Sequence, residues 1–298
     1  MRILCVGEAL VELICERPVA SLAEADAFAP HVGGAAAGVA ITAARRGADV
    51  ALAATVGDDA WGGWLHDRLQ DERVVLDHVV RSADQATPVS FVTVGADGQT
   101  AATTYGTRAP LAALGERLLE AVDAADALFL SSATLVDEPA RELTLAARAR
   151  ARAAGKPVVL DPDLRADRWR STSAAVEIVG GAVAGAFLVK ANAHEARALT
   201  GELEVEAAAA SLLAAGAQHV VVTLGADGAL LRGGGLDRTV RGVAAAAVDT
   251  TGAGDAVTGV LLAALGRTGF YPAALAAMLP DAVAEAARAT ERYGAVTR

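Results

Sequence analysis

The sequence predicts a three-layer α/β/α fold built on a mainly parallel sheet, with a small additional β-sheet. Four near-continuous apolar runs of strand length are separated by alanine-rich helical stretches, as expected for strands buried on both faces. Hydrophobic residues make up 53% of the chain but aromatic residues only 4%, which favours small side chains packed between helices and a sheet. The four runs are 126–132, 156–162, 185–192 and 219–225.

The N-terminal part begins the same alternation. An apolar run over 2–7 predicts the first strand, and the stretch 33–47 predicts a helix that ends at a glycine. A second strand is predicted over 49–57 and a second helix over 60–70. Further along the chain, the run 138–154 predicts one of the crossover helices between parallel strands.

Two segments interrupt this pattern. Residues 87–105 alternate apolar and polar positions around the turn signal Gly-Ala-Asp-Gly at 95–98, which predicts a β-hairpin. Residues 9–32 also contain two short extended pieces. We expect the two excursions, over 9–32 and 87–107, to pair into one small sheet that serves as a lid on a single domain spanning 1–298.

Composition excludes several classes of partner. The formal net charge is −10 and the pI is about 5.0, which argues against a surface for nucleic acid or for an anionic membrane. The N-terminus lacks the basic segment of a signal peptide, and no uncharged apolar run is long enough to span a bilayer. Only two cysteines occur, without CxxC spacing, which favours a reducing compartment. We therefore expect a cytoplasmic protein that binds small molecules.

The motif VDTTGAGDAVTG, residues 248–259, predicts an anion site at a helix N-terminus. Gly252, Ala253 and Gly254 precede a helical apolar pattern, where free backbone N–H groups and the helix dipole favour a phosphate. Asp255 stands inside this site, which suits a general base beside a transferred phosphoryl group. The alternative is that Asp255 only stabilises the start of the helix.

The motif NAHE places Asn192 and Glu195 three residues apart, directly after a predicted strand. One interpretation is a capping box, which needs this spacing. The other is a position beside nucleotide phosphates, where Glu195 organises the water ligands of Mg²⁺. The two interpretations are compatible.

Two further motifs follow strands. VTLGADG offers Thr223, Gly225 and Gly228 for close approach of a nucleotide, although an ordinary hairpin would use the same residues. DPDLRADRW, residues 161–169, offers Arg165 as a clamp for a carboxylate or phosphate, with a surface ion pair as the alternative. The P-loop, GxGxxG, GxSxG and HExxH patterns do not occur.

Taken in order, DTTGAGD, GGAAAGVA, DPDLR, NAHE and VTLGADG resemble the ribokinase-like, phosphofructokinase-B-type carbohydrate kinases along nearly the whole chain. GEALVELI and DPDLRADRW are most similar to the fructokinase and 2-keto-3-deoxygluconate kinase branch. The resemblance implies ATP-dependent transfer of the γ-phosphoryl group to a sugar hydroxyl. It implies Asp255 as the base, an anion hole over Gly252–Gly254, and Mg²⁺ assisted by Glu195 through water.

The same resemblance assigns the remaining sites. It implies that Asn192, Thr223, Gly225 and Gly228 lie beside ATP, and it allows a monovalent cation such as K⁺. It implies a lid that doubles as the contact of a homodimer. The positions implied to face the sugar are Glu12, Gly33, Gly34, Gly38, Arg165 and Asp255.

Three positions depart from the family pattern. Glu12 replaces the usual Asp, Gly38 replaces an Asn, and Asp163 replaces the Asn of DPNxR. One hypothesis is that Glu12 fills the space that an asparagine at 38 would occupy. The identity of the sugar therefore stays open. The alternatives are a nucleoside or small-alcohol kinase of the same fold, or a binding protein without turnover.

Overall fold

A computed structural model of the chain describes residues 1–106, 110–164 and 168–296. Its strands are, in chain order, β1 Arg2–Val6, β2 Leu10–Pro18, β3 Ala29–Gly33, β4 Asp49–Gly57, β5 Val75–Ser82, β6 Val89–Val94, β7 Thr100–Tyr105, β8 Ala127–Ser131, β9 Val158–Asp161, β10 Leu188–Asn192, β11 His219–Thr223, β12 Gly228–Gly233 and β13 Leu236–Arg241. Its helices are α1 Ala35–Arg45, α2 Ala60–Asp71, α3 Glu116–Ala124, α4 Ala140–Ala153, α5 Thr172–Val183, α6 Ala193–Thr200, α7 Val205–Ala214, α8 Ala253–Thr268 and α9 Ala273–Ala289.

Nine strands form the large sheet, in the spatial order β13-β12-β11-β10-β9-β8-β1-β4-β5. The strands from β5 to β11 pair in parallel, and β12 and β13 add an antiparallel edge. The apolar runs of the sequence form its centre, because strands covered on both faces need no polar side. The predicted α/β class with a mainly parallel sheet is confirmed.

Helices cover both faces of this sheet and give the three layers. Along β1, Ile3 and Cys5 belong to the core beneath α1, α2, α8 and α9, whereas Leu4 and Val6 belong to the core beneath α3 to α7. This alternation follows from the two-residue period of a strand. Among the described residues, no helix is long and apolar enough to cross a membrane.

The remaining four strands form a small sheet in the order β3-β2-β6-β7. β2 and β6 pair in parallel, and the two outer pairings are antiparallel. The first excursion and the hairpin thus meet in one sheet, while residue 107, where the second predicted segment ends, lies outside the described residues. Gly33 ends β3 rather than beginning a helix, and α1 starts at Ala35 after the positive-φ residue Gly34.

Candidate active site

Three neighbouring parallel strands end at the same edge of the large sheet and bring polar residues together. β9 ends at Asp161, β10 at Asn192 and β11 at Thr223, and the last two are register partners. Ligand sites of α/β sheets lie beyond these carboxyl ends. The start of α8 reaches the same edge, because Thr258 in its second turn contacts the Asp161 carboxylate at 3.4 Å.

The N-terminus of α8 has the geometry of an anion-binding nest. Gly252 precedes the helix in the left-handed conformation, with φ of 73°. A Cβ at this position would lie 2.4 Å from Cα of Ala295, so only glycine fits. Gly252 has no side chain and makes no N-cap hydrogen bond, and the Ala253 N–H donates to the Thr250 carbonyl at 3.4 Å. Backbone N–H groups at such a helix start are suited to an anionic ligand. Residues 256–266 are all buried and hold the helix rigidly in the core.

Asp255 lies in the first turn of α8 and packs against Gly38 of α1. A Cβ built on Gly38 would lie 2.6 Å from Oδ2 of Asp255 and 3.2 Å from its Cγ. The Asp255 carboxylate therefore occupies the space that a side chain at position 38 would fill. The sequence identified both residues, and the structure brings them into direct contact.

Glu12 is buried on β2 and lies against Gly33. A Cβ on Gly33 would be 2.5 Å from Cγ of Glu12, so the glycine makes room for the longer acid. The hypothesis from the sequence was that Glu12 fills the space left by the absent side chain at Gly38. The structure pairs Glu12 with Gly33 and Gly38 with Asp255, since β2 and β3 are neighbours and α1 faces α8.

Asn192 and Glu195 form a capping box at the start of α6. The Asn192 side chain accepts from the Glu195 N–H at 2.9 Å, and Glu195 Oε2 accepts from the Asn192 N–H at 2.8 Å. Oε1 of Glu195 also accepts from the Leu164 N–H at 3.2 Å. Burial and the nearby Asp161 carboxylate raise the pKa of Glu195 to about 7, although Lys190 opposes the shift.

Sequence reasoning missed Lys190, which lies at the centre of this edge. Its ammonium is buried and donates to Oδ2 of Asp161 at 2.8 Å. Burial disfavours the charged form, but the carboxylates of Asp161, Glu195 and Asp255 outweigh it and raise the pKa of Lys190. The available signal was one charged residue inside the apolar run FLVKAN.

The glycines after β11 have different surroundings. Gly225 is exposed, with open space where a side chain would project. Gly228 has φ of 109°, and a Cβ there would lie 2.0 Å from the Val240 carbonyl of β13. Strand pairing thus explains Gly228 without a ligand, whereas Thr223 is partly exposed and Gly225 is exposed beyond the end of β11.

Arg165, the predicted anion clamp, lies outside the described residues. Arg168, three residues later, forms an ion pair with Glu8 in which the two side chains are 7% and 11% exposed. Its Nη1 donates to both carboxylate oxygens at 2.8 and 2.9 Å. Gly34 packs on the backbone beside it, since a Cβ there would lie 2.4 Å from the Glu8 carbonyl. The pair ties the segment after β9 to the β1–β2 junction.

The small sheet reaches the anion nest through the turn of its hairpin. The Gly98 carbonyl accepts from the Thr250 N–H at 3.2 Å and from the Thr250 hydroxyl at 3.1 Å. The next residue towards the N-terminus, Asp249, is fully buried and accepts from the N–H groups of Thr251 and Gly294, both at 2.8 Å. The loop before α8 is thus fixed from two sides.

The described part of the chain contains no group of three His, Cys, Asp or Glu side chains placed to hold a metal ion. Glu195 is the carboxylate nearest to the strand end at Asn192, and both of its oxygens already accept backbone hydrogen bonds. Its remaining lone pairs suit water-mediated contact with a cation rather than a cage of protein ligands.

Comparison with known proteins agrees with this arrangement. The model of the pfkB family carbohydrate kinases matches residues 1–297. The chain is 31% identical to aminoimidazole riboside kinase of Salmonella typhimurium over 98% of this chain and 90% of that protein. It is 35% identical to fructokinase-1 of Oryza sativa subsp. japonica, over 86% and 80% of the two chains.

Solved structures extend the likeness to the fold. A double-mutant fructokinase from Vibrio cholerae O395, in a form bound to fructose, ADP and a potassium ion, superposes with a TM-score of 0.86. The two proteins are 30% identical, and the match covers 99% of this chain and 94% of the fructokinase. The chain therefore belongs to the pfkB family of carbohydrate kinases, phosphotransferases that act on hydroxyl groups.

Proposed function

We propose that this protein is an ATP-dependent sugar kinase that transfers the γ-phosphoryl group to a hydroxyl of a fructose-like hexose or of a sugar acid such as 2-keto-3-deoxygluconate. One observation carries the proposal. The Asp255 carboxylate stands in the uncapped first turn of α8 and is held against Gly38, so a base and an anion site occupy the same helix start. That combination suits attack of a hydroxyl on a phosphoryl group.

In the proposed reaction, Asp255 takes the proton of the sugar hydroxyl as its oxygen attacks the γ-phosphorus. The bond between that phosphorus and the bridging oxygen of ADP breaks, and the backbone N–H groups of Gly252, Ala253 and Gly254 receive the equatorial oxygens. ATP with Mg²⁺ supplies the phosphoryl group and a neutralising charge. Gly252 and Gly254 let the phosphoryl oxygens approach the backbone closely.

The nucleotide would lie at the edge formed by β10 and β11. Asn192 and Thr223 are neighbours there, and Gly225 leaves the surface beside them open. Glu195 would hold Mg²⁺ through water, in keeping with its two occupied oxygens. Because the related fructokinase of Vibrio cholerae binds a potassium ion together with fructose and ADP, a monovalent cation is a further proposed cofactor of this chain.

The sugar would lie between the small sheet and the start of α1. Glu12 would accept hydrogen bonds from sugar hydroxyls, and Gly33, Gly34 and Gly38 would leave room for the ring. A fructose-like acceptor is favoured because the fructose-bound fructokinase superposes with a TM-score of 0.86, against 0.82 for aminoimidazole riboside kinase bound to its riboside. A riboside acceptor is the second candidate, since the aminoimidazole riboside kinase matches 98% of it.

The outer face of the small sheet supports a further proposal, a homodimer formed through the lid. Phe28, Phe91 and Tyr105 stack edge to face there, with ring centroids 5.1 and 5.8 Å apart. Tyr105 is 58% exposed, and Leu22 extends the apolar groove to about 410 Å³. A second copy would cover this patch. Sedimentation of the wild type and of Tyr105→Glu tests it, and a monomeric wild type would refute it.

The function is tested by coupled ADP release with fructose, 2-keto-3-deoxygluconate, aminoimidazole riboside and other nucleosides. Asp255→Asn should lower kcat by about 10²–10⁴-fold while retaining ATP-analogue binding, because the nest is backbone. Asp77→Asn, exposed on the edge strand β5, is the matched control and should keep full activity. Phosphorylation of none of these acceptors, or an Asp255→Asn variant with more than about a third of wild-type kcat, would overturn the proposal.

A further inference from the structure

Lysine is rare in this chain, and one of its two lysines occupies the active-site edge. Of 26 lysines and arginines, only Lys156 and Lys190 are lysine. Lys156 lies at the opposite end of the sheet and bonds two carbonyls at the end of α3. Lys190 is 4% exposed and lies among carboxylates near the end of β10. A buried lysine in a chain that otherwise uses arginine needs a specific explanation.

The ammonium of Lys190 lies beside the first turn of α8. A Cβ built on Gly254 would lie 2.7 Å from Nζ of Lys190, so the second glycine of GAG packs against this cation. Asp161 holds the ammonium from the other side at 2.8 Å, and Thr258 bridges Asp161 and the Gly254 carbonyl. The cation is thus fixed against the first turn of α8.

Pairing with Asp161 does not by itself explain this arrangement. A buried ion pair contributes little to stability, because desolvation offsets the attraction, and apolar residues of similar size serve as well. The ammonium also faces the positive end of the α8 dipole, which is unfavourable in isolation. The positive charge of Lys190 becomes favourable when Asp255 and a phosphoryl group bring negative charge to the same turn.

We propose that Lys190 is the fixed cation of the phosphoryl-transfer site, and that it offsets the negative charge which Asp255 and the transferred group bring to the first turn of α8. The inference rests on the proposed function. Because Lys190 acts through the Gly254 backbone, it is a positioning residue. A lysine suits this role because its compact ammonium fits behind Gly254, whereas a planar guanidinium needs more room.

The first experiment distinguishes a role of the Lys190 charge in phosphoryl transfer from a role limited to its ion pair with Asp161. The double variant Asp161→Asn with Lys190→Met removes the cation together with its buried partner, so that neither charge is left unpaired. We expect kcat with fructose and ATP to fall at least thirtyfold while KM for fructose changes less than threefold. The matched control is Arg2→Met with Asp49→Asn, an ion pair with an N–O distance of 3.0 Å. It lies at the amino ends of β1 and β4, at the opposite edge of the sheet, and the variant should retain kcat.

The second experiment uses the unmodified protein and applies even if the variants fail to fold. Lysine labelled with carbon-13 at Cε gives two resonances, assigned with Lys156→Arg. Adding fructose, Mg²⁺, ADP and aluminium fluoride, a mimic of the transferred group, should shift the Lys190 resonance by more than its linewidth. The Lys156 resonance serves as an internal reference and should stay in place.

The outcomes distinguish the inference from the function. A folded double variant with kcat within threefold of the wild type, or an unmoved Lys190 resonance in an active enzyme, overturns the role of Lys190 alone. A wild type that phosphorylates none of the acceptors overturns the proposed function.

Discussion

Gly38 and Asp255, which lie 217 positions apart in the chain, are in direct contact, with the carboxylate occupying the place of a side chain at 38. Gly38→Ala should therefore displace the carboxylate and lower kcat about tenfold or more. Its stability should change little, because alanine favours a helix interior by about 1 kcal/mol and offsets part of the crowding. Steady-state kinetics and thermal unfolding of the same preparations measure both effects.

The matched control for this substitution is Gly181→Ala in α5. Nothing lies within 4 Å of a Cβ at 181, so the control should gain up to about 1 kcal/mol of stability with unchanged kcat. Equal kcat in the two variants would mean that position 38 does not constrain the Asp255 carboxylate.

The contact between Gly98 and Thr250 predicts that the small sheet responds to both ligands. Hydrogen exchange in residues 10–33 and 89–105 should slow when fructose and a non-hydrolysable ATP analogue bind, because closure excludes water from the site. Thr250→Val removes one of the two bonds to the Gly98 carbonyl and should weaken the protection of the turn. Protection confined to the large sheet would contradict a lid.

The raised pKa of Glu195 predicts a pH-dependent loss of stability in the absence of nucleotide and Mg²⁺. A carboxyl whose folded pKa is about 7 instead of 4.5 favours the fold when protonated, and that stability is lost as the pH rises through 7. Glu195→Gln keeps the capping box but cannot ionise. Relative to wild type, its unfolding free energy should rise between pH 5 and pH 8, by up to about 3 kcal/mol.

Urea titrations at the two pH values measure this difference. The same difference in unfolding free energy between Glu195→Gln and the wild type at both pH values would contradict the raised pKa. Glu206→Gln, at an exposed position in the first turn of the next helix, is the control for the change from acid to amide.

The ion pair between Glu8 and Arg168 predicts that substitutions of the two residues have strongly coupled effects on the unfolding free energy. Arg168→Met leaves a largely buried carboxylate without its partner and should cost about 3–5 kcal/mol of unfolding free energy. Adding Glu8→Gln should restore at least about 1 kcal/mol, because the uncompensated charge is removed. Strictly additive losses in a double-mutant cycle would show that the two residues do not interact.

The sequence predicted the parts of the fold that depend on local pattern. The apolar run 219–225 became β11, and the spacing of Asn192 and Glu195 produced the capping box. The glycine turn at 95–98 likewise joins β6 and β7. In each case the determining residues are close in the chain, so periodicity and turn chemistry suffice.

Contacts between segments that are far apart in the chain could not be predicted from local sequence patterns. That Asp255 fills the space above Gly38, or that Glu12 lies on Gly33, depends on how α8, α1 and the small sheet pack. Lys190 was overlooked because a single lysine in an apolar run resembles a strand end with its head in water. Only the packing of α8 shows that its ammonium faces Gly254.

The scarcity of lysine has a practical consequence. Because the chain has only two lysines, Lys156→Arg leaves Lys190–Ala191 as the one bond that a protease cleaving after lysine can cut. That bond lies in a central strand with both residues buried. The native protein should therefore resist such a protease, and each cut should report one opening of the central sheet. A single pair of fragments on a gel would then measure how tightly the bound ligands hold the sheet closed.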